Sequence, residues 1–243
     1  MPSLAIIKTG NTLAPIHDRF GDFDQWFIRS LGPDRFDYQV VNVHEDQDLP
    51  DHADAVLVTG SPAMVSHRHT WSENTAAWLA DFHRTARPML GVCYGHQLIA
   101  HALGGRVGPN AVGRRMGTRQ VDILDQDDAL LGEFYPYQNF QVTHVEVVIE
   151  PPQQARVVAR TDGDEHHALH FGAHSWGVQF HPEFDIEIMA AYIQSRASVL
   201  AGEGIDAQTL LDAVRPAPAG ARLMTRFAEL VESFHLAKAP EDS

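Results

Sequence analysis

Residues 1–103 alternate short apolar runs with longer segments of helical periodicity, and this alternation constrains the fold more than any other feature of the sequence. Strands that alternate with helices favour a mostly parallel sheet with helices on both faces. The predicted strands are Leu4–Lys8, Tyr38–Val43, Ala53–Thr59 and Pro88–Val92, and the predicted helices are Asp22–Leu31, Trp71–Ala86 and Tyr94–Leu103.

The rest of the chain changes character twice. Five strand-like segments with little helix between them predict an antiparallel or mixed extension of the sheet: Thr118–Leu124, Phe140–Ile149, Val157–Thr161, Ala168–Phe171 and Trp176–Phe180. From Asp185 onward we predict the helices Ile186–Leu200, Ala207–Val214 and Ala221–Leu236, and then a frayed tail at Lys238–Ser243. These patterns predict an α/β domain over residues 1–195 and a helical extension, 196–243, packed on it.

Composition and charge narrow the classes of function. Hydrophobic residues make up 44% of the chain and charged residues 21%, which is typical of a globular protein. The net charge of −14 disfavours binding to nucleic acid or to an anionic membrane surface. A single cysteine excludes an intramolecular disulfide and a multi-cysteine zinc site. With no apolar run of about 18 residues and no signal-peptide pattern, we expect a cytoplasmic protein.

That single cysteine, Cys93, lies where an apolar strand is predicted to pass into a helix. Gly91 and Gly95 flank it, as on the sharp turns that present nucleophiles. The helix N-terminus favours the thiolate, and the N–H of Tyr94 is placed to receive a developing oxyanion. A buried structural cysteine is the alternative, at about even odds on these residues alone.

A thiol nucleophile needs a base, and His181 is the best-placed histidine. It follows an apolar strand, and in an extended segment Glu183 shares its face and can orient the imidazole. A His–Glu pair that merely caps the strand end is the alternative. His166, His167 and His170 could suggest a metal, but no carboxylate set supports one, so we predict no metal site. We expect the histidines without special context to lie at the surface; they are His17, His44, His52, His67, His69, His83, His101, His166, His167, His170, His174 and His235.

Three segments together resemble the class I (triad) glutamine amidotransferase family, and stand-alone members similar to the glutaminase domain of GMP synthase in particular. They are Val56–Pro62, Gly91–Gln97 and Trp176–Phe184, and the resemblance covers roughly Leu4 to Ile193. It implies a three-layer flavodoxin-like sandwich with a mostly parallel central sheet, an antiparallel extension and extra C-terminal helices.

The resemblance also implies roles for individual residues. Cys93 would be the nucleophile, His181 the general base and acid, and Glu183 the group that orients it. The backbone N–H groups of Ser61 and Tyr94 would form the oxyanion hole. The substrate-binding residues implied are Gly60, Gln97, Thr143 and His144.

Two departures from the family pattern stand out. The family commonly has Gly-Gly-Pro where this chain has Gly60-Ser61-Pro62, so the oxyanion loop is expected to need a flip to present its N–H. After His144 the chain has Val145-Glu146, where relatives often have Gly or Ser followed by Asp. Glu146 is therefore either a carboxylate for the substrate's ammonium group or a surface strand residue.

The implied activity is hydrolysis of the γ-amide of glutamine through a cysteine thioester, without a metal or organic cofactor. No phosphate-binding loop follows Glu183, so a separate synthetase is expected to take the ammonia if one does. Two alternatives remain: a γ-glutamyl peptide or amide hydrolase that uses the same triad, and a catalytically silent interaction module. The C-terminal helices either pack on the domain or offer a surface to a partner or a second copy.

Overall fold

A computed structural model describes residues 1–238, and its core is a mixed β-sheet. The strands are β1 (Ser3–Lys8), β2 (Asp37–Asn42), β3 (Ala55–Val58), β4 (Met89–Val92), β5 (Arg106–Pro109), β6 (Arg115–Ile123), β7 (Tyr137–His144), β8 (Glu146–Glu150), β9 (Arg156–Thr161), β10 (Asp164–Gly172) and β11 (Ser175–Val178). Within the described residues, nine of them form one sheet in the order β2-β1-β3-β4-β11-β10-β9-β6-β7.

The sheet has a parallel half and an antiparallel half that meet at β11. All pairs from β2 to β11 are parallel, and all pairs from β11 to β7 are antiparallel. Strands β5 and β8 form a separate antiparallel pair. The predicted combination of a parallel core and an antiparallel extension is confirmed.

Helices cover both faces of the sheet. They are α1 (Ala14–Phe20), α2 (Phe23–Leu31), α3 (Thr70–Arg84), α4 (Tyr94–Ala102), α5 (Ile186–Ser195), α6 (Ala197–Gly202), α7 (Ala207–Ala213) and α8 (Ala219–Lys238). Alternate residues of β1 divide between the faces, as a pleated strand requires. Leu4 and Ile6 pack in the cluster that includes α2, α5 and α8, whereas Ala5 and Ile7 pack in the cluster that includes α3 and α4.

The predicted strand Phe140–Ile149 is wrong as a single element. It breaks at Val145, where β7 ends in the main sheet and β8 begins in the small one. The Val145 carbonyl accepts a hydrogen bond from the N–H of Asn110, at 2.8 Å, beside the β5 strand that pairs with β8. Both halves are apolar, so no sequence signal marks the change of sheet.

The predicted helix Ile186–Leu200 is also wrong as a single element. The structure divides it at Arg196 into α5 and α6, although no glycine or proline lies at the break. The sequence patterns predict neither helix α1 nor strand β5. The predicted tail lies outside the described residues apart from Lys238, and no helix among residues 1–238 is long and apolar enough to cross a bilayer.

The last helix, α8, packs into the main core. Leu223, Met224 and Phe227 are fully buried in the cluster that also contains Trp26 of α2. On the rim, the Arg35 guanidinium donates two hydrogen bonds to the Glu232 carboxylate, at 2.6 and 2.9 Å. We propose that the extension folds together with the α/β domain as one cooperative unit.

Substitution of Phe227 by alanine tests this proposal. Removal of a fully buried phenylalanine side chain is expected to lower the free energy of unfolding by about 3–5 kcal/mol. Urea unfolding should show one shifted transition for both aromatic fluorescence and circular dichroism. Leu236→Ala is the control on the same helix, because Leu236 is 72% exposed. Two separate transitions, of which only one shifts, would contradict a single unit.

Candidate active site

Cys93 lies on a strained turn between β4 and α4. Its backbone has φ 52° and ψ −102°, which non-glycine residues seldom adopt. Its N–H donates to the Val178 carbonyl at 2.8 Å, and the next N–H but one, that of Gly95, donates to the Thr59 carbonyl at 3.1 Å. Bonds to β11 on one side and to the residue after β3 on the other hold the thiol at the carboxyl edge of the sheet.

The two flanking glycines are required by close backbone contacts. A Cβ on Gly91 would lie 2.5 Å from the carbonyl group of Gly95, and one on Gly95 would lie 2.3 Å from the Val58 carbonyl oxygen. Both distances are well below van der Waals contact. The structure therefore agrees with the expectation that small residues on each side of Cys93 let the backbone approach closely.

The structure brings His181 to the same edge. The chain leaves β11 at Val178, and the His181 N–H then donates to the Gln141 carbonyl of β7 at 2.8 Å. The ring of Phe184 stacks on the imidazole, with centroids 4.2 Å apart and an interplanar angle of 19°. The backbone hydrogen bond to Gln141 and the stacked ring of Phe184 thus fix the position of the imidazole.

Glu183 and His181 form a buried pair. The Nδ1 of His181 and the Oε1 of Glu183 are 2.7 Å apart, and the two side chains are 3% and 0% exposed. Burial alone lowers the pKa of His181, but the negative charges of Glu183 and of a Cys93 thiolate outweigh it and raise the pKa from 6.5 to about 10. The Nε2 of His181 is buried and has no hydrogen-bond partner among residues 1–238.

Two adjoining cavities meet at Cys93. The first, here called the His181 cavity, is lined by Phe23, His181 and Tyr192 among others. The second, here called the Glu146 cavity, is lined by residues that include Tyr94, Gln97, Arg114, His144 and Glu146. Both are lined by Ser61, Pro62, Cys93, Thr143 and Arg196. The predicted site residues therefore lie at or beside one continuous cleft.

A larger groove of about 370 Å³ lies nearby, on the α2 side of Glu183. Trp26, Arg29 and Pro216 are among its lining residues, but neither Cys93 nor His181 is. Although this groove is the larger one, it is therefore not the cavity in which the Cys93 thiol would meet a substrate.

The peptide between Gly60 and Ser61 is held in one orientation. The hydroxyls of Thr9 and Thr59 donate to the Gly60 carbonyl, at 3.0 and 2.9 Å. Because a trans peptide directs its N–H opposite to its carbonyl, the Ser61 N–H points away from these buried threonines. It has no acceptor within the described part of the chain. No sequence pattern indicates the threonine pair, which only the fold brings together.

Gly60 packs against the His181 imidazole, and Ser61 is hydrogen-bonded to Thr9, which follows β1. A Cβ on Gly60 would lie 2.9 Å from the Cε1 of His181. The Ser61 hydroxyl donates to the Thr9 carbonyl at 2.7 Å and accepts from the Ala63 N–H at 3.1 Å. The serine at this departure from the family pattern lines the cleft, and its hydroxyl anchors the loop.

Behind Cys93, the Gln97 amide is part of a buried network. It donates to the Glu146 carbonyl at 2.7 Å and to the Gln179 side chain at 3.0 Å. The thiol of Cys93 faces the Thr143 carbonyl, 3.7 Å away. Glu146 is buried and its carboxylate accepts bonds from the hydroxyl and the N–H of Ser66, so the surface alternative for Glu146 is wrong.

A second buried group of histidines lies next to the site. His167, predicted at the surface, is fully buried on β10, and its Nδ1 bonds to Asp164 at 2.8 Å. His144, Asp164 and His167 bring three potential metal-ligating atoms within 4.8 Å of one another. The Asp164 carboxylate is a neighbour of these histidines that the sequence patterns do not predict. Burial, with His167 nearby, lowers the pKa of His144 to about 3, so His144 is neutral. The Asp164 carboxylate also accepts a hydrogen bond from the His166 N–H, at 3.1 Å, at the start of β10.

Comparison with known proteins identifies the family. The sequence profile of "Glutamine amidotransferase class-I" matches residues 16–196, well over half of the chain. The chain belongs to the class I glutamine amidotransferases. A solved glutamine amidotransferase from Thermotoga maritima has the same fold, with a TM-score of 0.76 over 95% of this chain and 98% of that one at 18% identity.

Among curated relatives, this amidotransferase is 32% identical to a glutamine-hydrolyzing GMP synthase subunit of Saccharolobus solfataricus, over 67% of this chain and 85% of that one. It is 24% identical to Gamma-glutamyl peptidase 3 of Arabidopsis thaliana, over 70% and 72% of the two chains. It matches only 25% of the length of the longer GMP synthase of Aeropyrum pernix, at 36% identity.

Glu183→Gln tests the cause of the raised pKa of His181. The amide keeps a hydrogen-bond acceptor but removes the charge, so the pKa of His181 should fall from about 10. The ring resonance of His181 followed by NMR from about pH 5 to pH 11 measures it. Glu187→Gln, which removes one exposed charge on α5, should leave the pKa in place. An equal pKa in Glu183→Gln and the parent protein would contradict this account.

Proposed function

We propose that this amidotransferase cleaves the γ-amide of glutamine through a γ-glutamyl thioester on Cys93. The observation that carries the proposal is the buried His181–Glu183 pair, whose imidazole lines the same cavity as Cys93. An imidazole that a carboxylate holds by one nitrogen, and whose other nitrogen is left to exchange a proton with a nearby thiol, is the arrangement that activates a nucleophile.

In the first half-reaction, the Cys93 thiolate attacks the γ-carbonyl carbon of glutamine. The N–H groups of Ser61 and Tyr94 stabilise the oxyanion, each by about 3 kcal/mol of barrier. The fixed Gly60 carbonyl supports a hole that is formed without a flip, and Tyr94 N–H is free of an intrahelical acceptor as a first-turn donor. The imidazolium of His181 then gives its proton to the nitrogen as the carbon–nitrogen bond breaks and ammonia leaves.

In the second half-reaction, neutral His181 takes a proton from water, and the hydroxide oxygen attacks the thioester carbon. The carbon–sulfur bond then breaks, which releases glutamate and returns Cys93 to the thiolate beside the His181 imidazolium. Glu183 stabilises the imidazolium in both halves. Thr143, His144 and Gln97 line the cavity where the acyl chain lies in this scheme, and Gly60 packs against the His181 imidazole beside it. Glu146 remains the candidate partner for the substrate's ammonium group. The reaction needs no metal or organic cofactor.

The fate of the ammonia is a further part of the proposal. Relatives include a protein whose name describes one subunit of a glutamine-hydrolysing GMP synthase. By analogy, a separate ammonia-accepting synthetase is the proposed partner. The cytoplasmic location expected from the sequence also stays a prediction.

A second candidate is hydrolysis of γ-glutamyl peptides or amides by the same residues. The relatives Gamma-glutamyl peptidase 3 and Gamma-glutamyl peptidase 5 match 70% of this chain and 72% and 71% of their own lengths, so the likeness spans most of each protein. Any γ-glutamyl amide passes through the same thioester, because only the leaving amine differs.

Cys93→Ala tests the nucleophile directly. Ammonia release from glutamine should fall by a factor of about 10⁴ or more, as expected when a covalent nucleophile is removed. The parent protein should also accumulate a γ-glutamyl adduct on the peptide that contains Cys93, detectable by mass spectrometry after acid quenching. Undiminished hydrolysis by the folded Cys93→Ala variant would contradict the mechanism. If the protein is instead a catalytically silent interaction module, the parent protein should show neither ammonia release nor an adduct.

The two candidate substrates are separated by a direct comparison. Purified protein is given glutamine and a γ-glutamyl dipeptide at equal concentrations, and glutamate release is followed for both. We expect the higher kcat/KM for glutamine, because the His181 cavity is small, about 40 Å³, and leaves little room for a leaving amino acid. Strong hydrolysis of the dipeptide with none of glutamine would reverse the order of the two candidates.

A further inference from the structure

Arg196 lies at the corner where α5 passes into α6, and it lines both cavities at Cys93. Its backbone N–H donates to the carbonyls of Tyr192 and Ile193, at 3.1 and 3.2 Å. The corner therefore fixes the position from which this side chain reaches the cleft.

The guanidinium of Arg196 has no partner. It makes no hydrogen bond and no ion pair with any residue from 1 to 238, and its Nε is buried. Its neighbour Arg114 contrasts with it, because Arg114 donates two hydrogen bonds to the Glu203 carboxylate, at 2.8 and 2.9 Å. The Glu203 carboxylate is thus already engaged, and Arg196 is left unpaired.

This arrangement costs free energy in the empty protein. Burial and the like charge of Arg114 lower the pKa of Arg196. A chain with a net charge of −14 has many carboxylates, yet none pairs with this cation within the described part of the chain. A half-buried cation that is paired by nothing is stabilised by an anion that enters the cleft.

We propose that Arg196 binds a carboxylate of the substrate that is attacked by Cys93, and that Arg114 strengthens the positive potential there. This rests on the proposed function, since it names what the same cleft recognises. Two carboxylates are available to it. One is the α-carboxylate of the glutamyl half, which would lie in the Glu146 cavity. The other is the carboxylate of a leaving amino acid, which would lie in the His181 cavity, where the leaving nitrogen is protonated.

Alkylation of Cys93 tests Arg196 without any hydrolysis. Iodoacetate and iodoacetamide both form a carbon–sulfur bond with the thiolate while iodide leaves, and they differ only in that iodoacetate carries a carboxylate. Cys93 is the single cysteine, so the readout is clean. The ratio of the two rate constants, iodoacetate over iodoacetamide, should fall roughly tenfold or more in Arg196→Met, the loss expected for a charged hydrogen-bonding partner.

Two variants serve as controls for the charge and the geometry. Arg29→Met removes the same charge from the groove that does not contain Cys93, and should leave the ratio unchanged. Arg196→Lys keeps the positive charge but loses the planar set of N–H donors of the guanidinium. Its ratio should therefore lie between those of Arg196→Met and the parent protein. Because the unpaired Arg196 charge costs free energy, Arg196→Met should unfold at the same temperature as the parent protein or at a higher one.

Four substrates then identify which carboxylate is bound. They are glutamine, its α-amide, a γ-glutamyl dipeptide and the same dipeptide with an amidated C-terminus. If the α-carboxylate is bound, Arg196→Met raises KM for glutamine and for both dipeptides but not for the α-amide of glutamine. If the leaving carboxylate is bound, KM rises only for the dipeptide with a free C-terminus. In both cases kcat should change little.

The failures of the two proposals are distinguishable. A parent protein that hydrolyses none of the four compounds contradicts the proposed function, while the alkylation ratio still tests Arg196. An alkylation ratio that is equal in Arg196→Met and the parent protein overturns the role of Arg196 even if glutamine is hydrolysed. An equal loss of kcat/KM on all four compounds also overturns it, since a carboxylate receptor must discriminate among them.

Discussion

The parallel pairing of β4 with β11 is the constraint on which the candidate site depends. Val92 at the end of β4 lies opposite Val178 at the end of β11, so the chain segments that leave these strands start at one edge of the sheet. One segment begins with Cys93 and the other leads to His181, which are far apart in the sequence. A shift of this register by one residue would turn every side chain of β11 to the other face and separate thiol from imidazole.

His181 and Glu183 are buried at this edge of the sheet, and their burial next to each other sets the pKa of His181. Burial lowers the pKa of His181, but the Glu183 carboxylate and the Cys93 thiolate outweigh it and raise that pKa to about 10, so the imidazole stays protonated up to this pH. In the unfolded chain the ordinary value of 6.5 applies, so this pair stabilises the fold fully below that pH and loses its contribution as the pH rises toward 10. Burial also strengthens the electrostatic interaction within the pair, because little solvent is present to screen it.

Much of this fold and site could be predicted from the sequence because local signals coincide there. Short apolar strands, helical periodicity and the two glycines around Cys93 all describe the parallel half. Extended backbone predicts the contact of His181 with Glu183, but the structure makes that contact on a turn, in which the Phe184 N–H donates to the His181 carbonyl at 3.4 Å. The rest depends on tertiary contacts. Val145 separates two apolar strands that no pattern distinguishes, and His167 is buried only because β10 is covered on both sides. The Thr9 and Thr59 hydroxyls that bond to the Gly60 carbonyl come from the ends of two different strands, β1 and β3.

Arg196 shows why the helices after the α/β domain matter to the chemistry. A continuous helix over Ile186–Leu200 is the simplest prediction from the sequence, and it does not mark Arg196 as the residue at a break. The break after α5 instead turns the chain, so that Arg196 enters the cleft and Glu203, at the end of α6, holds Arg114 beside it. A segment that packs by its apolar side chains therefore also supplies the unpaired cation in the cleft. In this proposal, stability and substrate recognition depend on the same short segment, because Arg196 joins α5 to α6 and also lines both cavities at Cys93.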